Sequence, residues 1–226
     1  MTIRTSLSSY VSTDSPSCLP SAFELLPALG STPEVKTVFD FPVSLEYIVT
    51  LSEREIVTEI HVKNNSDKDP FQFQALFHNY IRAQANSVKI SPLMGKNYFD
   101  KTEATAEATA TLKLERRKDV DVQKFTDSVY VDGGQAYTVT WPQGEIQIKT
   151  KGLKDVVIWN PQETAGSAIK DMEDGGWCVQ SVGLQDSSFI PSSREKYVCV
   201  EPGHVQGYIT LSVGEIWIGQ QTLKHG

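Results

Sequence analysis

From Val35 to Leu223 the chain alternates apolar and polar residues with a period of two, in short runs bounded by turn-forming residues. VSLEYIVTL, EIVTEIHVKN, VDVQKFTDSVYV, AYTVTW, EIQIKTKG, DVVIWNP, KYVCVEP, HVQGYITL and GEIWIGQQTL all read as strands, rich in β-branched and aromatic side chains that pack well on a pleated surface. A convincing amphipathic helical period is missing throughout. Many short strands at regular spacing predict an all-β fold, an antiparallel sandwich or barrel built as one domain over residues 34–226. The Asn64–Pro70 turn cluster predicts a hairpin between the two strands that flank it. EATAEATATLKLERR is ambiguous: Ala and Glu favour helix, whereas alternating Thr and the neighbouring strands favour the extended form adopted here. Residues 1–33, rich in Ser, Thr and Pro, predict poor order with a helical turn near Ala22–Leu26, and Ala168–Trp177 predicts one more helical turn.

One alternating run is chemically unusual. In PFQFQALFHNYIRA one face carries Phe71, Phe73, Ala75, Phe77 and Ile81, while the other carries Gln72, Gln74, Leu76, His78, Tyr80 and Arg82. Amides, an imidazole, a phenol and a guanidinium in a row suit the floor of a polar ligand cleft. A plain water-facing sheet surface would alternate in the same way, so the pattern alone leaves both readings open. Glu201 follows an apolar strand and is halted by Pro202-Gly203, which places it at a predicted strand end. A carboxylate held there in partly apolar surroundings suits general base chemistry, and a simple polar turn is the competing reading. Asp127 in FTDSVY and Asp171 in IKDM are further candidates.

Composition narrows the field. The 226 residues carry a net charge of −7 and the pI is about 5.1, which argues against a nucleic-acid or anionic-membrane footprint. Arg116-Arg117-Lys118, the tightest basic cluster, reads as a solvated loop. The run of about 20 apolar residues that a membrane helix needs does not occur. The three cysteines and four histidines show no metal-ligand spacing, so no metal or other cofactor is expected. Reduced thiols and the lack of a secretory signal fit a cytoplasmic protein.

Five segments, in order, resemble the aldose 1-epimerase (mutarotase) family over about residues 35 to 224. PFQFQALFHNYIRA resembles the strand with the H-T-Y-F type motif. SPLMGKNYFDKT resembles the G-L-x-G-x-x-Y-x-D-K loop, and FTDSVY the D-x-x-Y segment. VVIWNP followed by KDM, and then KYVCVEPG, resemble the V-V-W-N-P and V-C-V-E-P-G stretches of the glucose-6-phosphate 1-epimerase subgroup. The resemblance implies a galactose-mutarotase-like β-sandwich, or supersandwich, that interconverts the α and β anomers of a hexose 6-phosphate, with Glu201 as base, His78 as acid and Asp127 orienting sugar hydroxyls. Gln74 and Arg82 are expected to contact the substrate from the cleft strand. The implied protein is a monomer without cofactor. His78 and Glu201 lying across one cleft, about a sugar ring apart, would favour an enzyme, and Glu201 carried away by the loop ahead of Lys196 would favour a binding protein.

Two departures accompany the resemblance. An N-terminal H-G-F-A-R type motif, whose His contacts the sugar and whose Arg helps hold the phosphate, has no counterpart here, so the chain is expected to be an N-terminally shortened member with weakened phosphate binding. Arg82 and Lys101 remain as cations for that role. CVQSVGLQDSSFIPSSR, ahead of the Glu201 segment, reads as an insertion. A sugar-binding sandwich of the same family without turnover is the alternative to an enzyme.

Overall fold

The computed structural model describes residues 2–5, 23–25, 28–29, 41–162 and 196–226. In chain order its strands begin with β1 (Thr2–Thr5), β2 (Phe23–Leu25), β3 (Ala28–Leu29), β4 (Val43–Leu51), β5 (Glu55–Asn64), β6 (Phe71–Phe77), β7 (Tyr80–Arg82) and β8 (Lys89–Ser91). They continue with β9 (Asn97–Asp100), β10 (Leu112–Leu114), β11 (Thr126–Val131), β12 (Ala136–Trp141), β13 (Gly144–Lys151), β14 (Asp155–Asn160), β15 (Tyr197–Leu211) and β16 (Ile216–His225). One short helix, α1 (Ala106–Thr109), is capped by Thr105, whose hydroxyl accepts from the Ala108 N–H at 3.1 Å. The ambiguous EATAEATATLKLERR segment therefore divides into this helical turn and β10.

The strands form two eight-stranded sheets. The first runs β1-β6-β15-β14-β11-β9-β10, with β7 also against β15; the second runs β2-β4-β5-β16-β13-β12-β8, with β3 against β4. Except for the parallel β1–β6 pair, the strand pairings are antiparallel. The alternating side chains of each sheet's inner face meet in the middle. Ile81, Tyr130, Ile158, Val198 and Val200 from the first sheet pack with Ile90, Tyr137, Val139 and Ile148 from the second. Beside them Phe71, Phe73, Ala75 and Phe77 pack with Val43, Ile60 and Val62, and Trp217 sets its ring edge-on to Phe73 at 5.4 Å.

Two expectations are corrected. The Asn64–Pro70 cluster does not close a hairpin: β5 belongs to the second sheet and β6 to the first, so the turn is an arch across the sandwich. Alternation specifies which face is buried but is silent on which sheet a strand joins. The arch is built from side chains, with Asn64 Nδ2 donating to the Asp69 and Leu211 carbonyls at 3.0 and 3.1 Å and the Ser66 hydroxyl accepting from the Asp69 N–H at 2.9 Å. Phe23–Leu25 is a strand paired with β4 rather than a helical turn. The remainder of the segment expected to lack order, the Ala168–Trp177 turn, Asp171 and the Cys178–Arg194 insertion lie outside the described residues.

Candidate active site

The strand predicted over Pro70–Ala83 is interrupted. β6 ends at Phe77, β7 begins at Tyr80, and His78 and Asn79 lie between the two strands. Alternation nevertheless continues through the break, so His78 points to the outer face and Asn79 into the sandwich, where it is buried. Asn79 Nδ2 donates to the Val200 carbonyl at 3.0 Å and to Gln221 Oε1 at 2.7 Å, and Gln221 Nε2 donates back to Asn79 Oδ1 at 2.8 Å. A reciprocal buried amide pair thus clamps the break onto β15 and ties both sheets together. Val200 and Pro202 present their backbone polar groups to the same side of β15, towards this gap. Asn79 satisfies the Val200 carbonyl, and proline has no N–H that would go unmet. Glu201 is therefore not at a strand end, as Pro202-Gly203 suggested, but inside the 15-residue β15. The ladder is broken on the partner strand instead. Gly203 sits where a Cβ would stand 2.9 Å from the Ala75 carbonyl, so this close approach of β15 to β6 needs glycine.

The break brings the two principal candidates together. His78 Nε2 lies 3.4 Å from Glu201 Oε1, within ion-pair range, with Glu201 buried and His78 reachable at 19 % side-chain exposure. They are adjacent rather than a sugar ring apart. Tyr80 stacks on the imidazole at 4.6 Å with 9° between planes, and Trp159 meets it edge-on at 6.2 Å. Trp159 also contacts Tyr197 at 6.3 Å, which completes an aromatic wall. Strand register sets the remaining spacing: Tyr80, Cys199, Trp159 and Asp127 are direct partners along one row across four strands. Asp127 is thus two strands from Cys199, roughly 10 Å at ordinary strand spacing. The next row places Val157 and Val129 beside Glu201. Burial pushes the Cys199 thiol well above its ordinary range, and the nearby Glu201 charge adds to this.

The other candidates are placed differently. Gln74 spends its amide N–H groups on the Val205 and Gly207 carbonyls, at 2.6 and 3.0 Å, where β15 bulges between His204 and Ile209. The same bulge is held from β14 by buried Asp155, whose Oδ2 accepts from the Val205 and Gln206 N–H groups at 2.9 and 2.8 Å. Arg82 is exposed on the site face, with Tyr197 as its register partner. Lys101 is exposed, its ammonium 5.0 Å above the Phe99 ring, and its backbone N–H donates to the Asp127 carbonyl at 2.7 Å. Arg117, in the basic triplet, forms a bidentate pair with buried Glu115, at 3.0 and 2.7 Å, which also accepts from the Tyr130 hydroxyl at 2.7 Å. Burial would raise the Glu115 carboxyl, but these donors outweigh it and hold the pKa at about 2. Asn79 and Asp155 escaped the sequence reading. A lone inward polar residue in an apolar run was the available signal for Asn79; nothing local marked Asp155.

Two antiparallel sheets packed face to face make this a mutarotase-like β-sandwich, with an imidazole–carboxylate pair and an aromatic wall on one outer surface, and the solved structures agree on the fold. YeaD of Salmonella typhimurium, a provisionally assigned mutarotase, superposes with a TM-score of 0.72 at 17% identity, over 91% of this chain and 61% of its own. A galactose mutarotase related enzyme of Lactobacillus acidophilus gives 0.63 at 13%, over 90% and 68%. The chain belongs to the aldose 1-epimerase family, whose sequence profile it matches over residues 28–224. A Cenchrus ciliaris protein provisionally named a glucose-6-phosphate 1-epimerase is 24% identical over 163 residues, 71% of this chain and 43% of that protein. The chain therefore spans less than half the length of this curated relative. Among the described residues no helix is long and apolar enough to cross a membrane.

Proposed function

We propose that the chain interconverts the α and β anomers of a hexose 6-phosphate, with His78 and Glu201 as its acid and base. The observation that carries this reading is the 3.4 Å approach of His78 Nε2 to Glu201 Oε1 on the aromatic-walled outer face. The two oxygens to be handled, the anomeric hydroxyl and the ring oxygen, are bonded to the same carbon, so neighbouring groups suit them better than groups a ring apart. The Glu201 carboxylate takes the proton from the C1 hydroxyl while the His78 imidazolium gives one to the ring oxygen; the C1–O5 bond breaks and C1 becomes an aldehyde. Rotation about C1–C2 presents the other face. Reclosure returns both protons, so the reaction leaves no net change in atoms or charge. Trp159 and Tyr80 offer flat apolar surfaces to the sugar ring, and Asp127, two strands away, is assigned to its hydroxyls. Arg82, exposed on the same face, is assigned to the phosphate. Gln74, tied to the bulge, shapes the end of the cleft away from the reacting carbon.

Magnetisation-transfer NMR of glucose 6-phosphate tests the proposal. Exchange between anomers above the uncatalysed rate is expected, and its loss in both His78→Ala and Glu201→Gln. A folded wild-type chain that binds the sugar phosphate without accelerating exchange would replace this reading with a binding protein of the same family.

A further inference from the structure

Among the described residues a single group of three metal-capable side chains converges: His78, Cys199 and Glu201, whose ligand atoms all lie within 4.8 Å of one another. We propose that this centre is also a binding site for a soft divalent cation of the zinc type, held by His78 Nε2, the Cys199 sulfur and a Glu201 carboxylate oxygen. Ligands at about 2.0–2.3 Å from tetrahedral zinc sit about 3.5 Å apart. His78 and Glu201 already stand at 3.4 Å, and the thiol needs only a small movement to join them. Imidazole, thiolate and carboxylate together form the three-ligand set of an open zinc site, with the fourth position left for water, and the sulfur selects zinc-like ions over magnesium or calcium. The fold supplies the convergence. Cys199 and Glu201 are two residues apart on β15 and so share one face, while the break after β6 delivers the imidazole from the neighbouring strand. Cys199 and Glu201 are buried, so the ion enters past the part-exposed imidazole, and the thiol proton leaves to solvent when the metal–sulfur bond forms.

The consequence rests on the proposed function: an ion coordinated here occupies the lone pairs that the base and acid use, so zinc inhibits anomer exchange. The site itself is tested without turnover. The 226-residue chain, stripped with a chelator and titrated with cobalt(II) alone, is expected to develop the intense near-ultraviolet thiolate-to-cobalt band, which zinc then bleaches. Cys199→Ser should abolish the band, and His78→Ala and Glu201→Gln should each weaken binding by at least ~10-fold, the scale on which even outer-shell partners act. Cys18→Ser and Cys178→Ser should leave it in place. A wild-type chain without the band, or a band that survives Cys199→Ser, overturns the metal site. A band in the loaded chain with no anomer exchange in the metal-free chain supports the site and refutes the epimerase reading, whereas exchange without a band refutes only the site.

Discussion

Among the described residues the sandwich carries two imidazole–carboxylate pairs, one on the outer face of each sheet, and the shorter of them is the less informative. His61 and Glu59 are two residues apart on β5 and meet at 2.8 Å, each 24 % exposed. The Glu59 carboxyl is lowered, through its hydrogen bond from His61 and a second from Gln220, against the opposing effect of burial. Any strand with His and Glu at i and i+2 can make this contact. His78 and Glu201 meet at a longer distance, but from opposite parts of the chain, at a break in one ladder, over aromatic rings and with the carboxylate buried. Proximity alone does not mark a reactive pair. The distinguishing feature is the structure assembled to hold the groups where water is scarce, since electrostatic and proton-transfer effects are largest there.

Kinetics separate the two pairs most directly. His78→Ala and Glu201→Gln should each lower anomer exchange by roughly 10²–10⁴-fold, whereas His61→Ala and Glu59→Gln should leave it at the wild-type rate. Equal losses from both pairs would show that the rate does not come from the β15 site.

A second contrast is between two buried carboxylates, Glu201 and Glu115. Glu115 is fully engaged by Arg117 and Tyr130 and has no acid–base work to do, so its signature should be stability. Its folded pKa of about 2 lies below the unfolded value, so its contribution is complete above the unfolded pKa and is lost as pH falls from about 5 to 2. The loss should reach up to about 3 kcal/mol. Denaturant unfolding at pH 7 and pH 3 should show it, and Glu115→Gln should flatten the difference while lowering stability at pH 7. An unchanged pH profile in that variant would contradict the assignment.

Asn79 tests what holds His78 beside Glu201. Asn79→Ala leaves the Val200 carbonyl and Gln221 without their donor, at a cost of about 1–3 kcal/mol. Gln221→Ala should cost a similar amount, and the double variant less than the sum, because the two amides satisfy each other. If exchange falls with Asn79→Ala while binding of the sugar phosphate holds, the clamp positions His78 and Glu201. The smallest effect belongs to the surface pair: Glu59→Gln should alter stability by no more than about 1 kcal/mol and do so less at high salt.

These residues also show what the sequence discloses. VSLEYIVTL and EIVTEIHVKN match β4 and β5 to the residue, because alternation of β-branched and aromatic side chains is imposed locally by burial on one face. His78 and Glu201 were visible as unusual groups on otherwise orderly strands. Their neighbours were less so. The arch at Asn64 looked like a hairpin because turn chemistry is the same whether the chain returns to its own sheet or crosses to the other. Glu201-Pro202-Gly203 looked like a strand end because proline lacks an N–H, yet the missing donor falls where the partner strand is itself interrupted. Gln74 looked like a cleft residue, but its N–H groups are taken by a bulge that only the folded β15 creates. Pairwise facts of this kind are written across the chain rather than along it.

The placement of β15 also bears on how the molecule comes to be assembled. This strand lies between β6 and β7 on one side and β14 on the other, so the pairings that bring His78 and Trp159 to Glu201 join segments far apart in the chain. Closing such loops costs entropy before any contact repays it, which makes folds dominated by remote pairings slow to form. In the second sheet β4 and β5 are neighbours in the chain as well as in the ladder, so their pairing is expected to form early, while His78 meets Glu201 only after β15 has docked. In a refolding experiment β-sheet signal should therefore appear first and anomer exchange last, and the lag between them would time the insertion of a single strand.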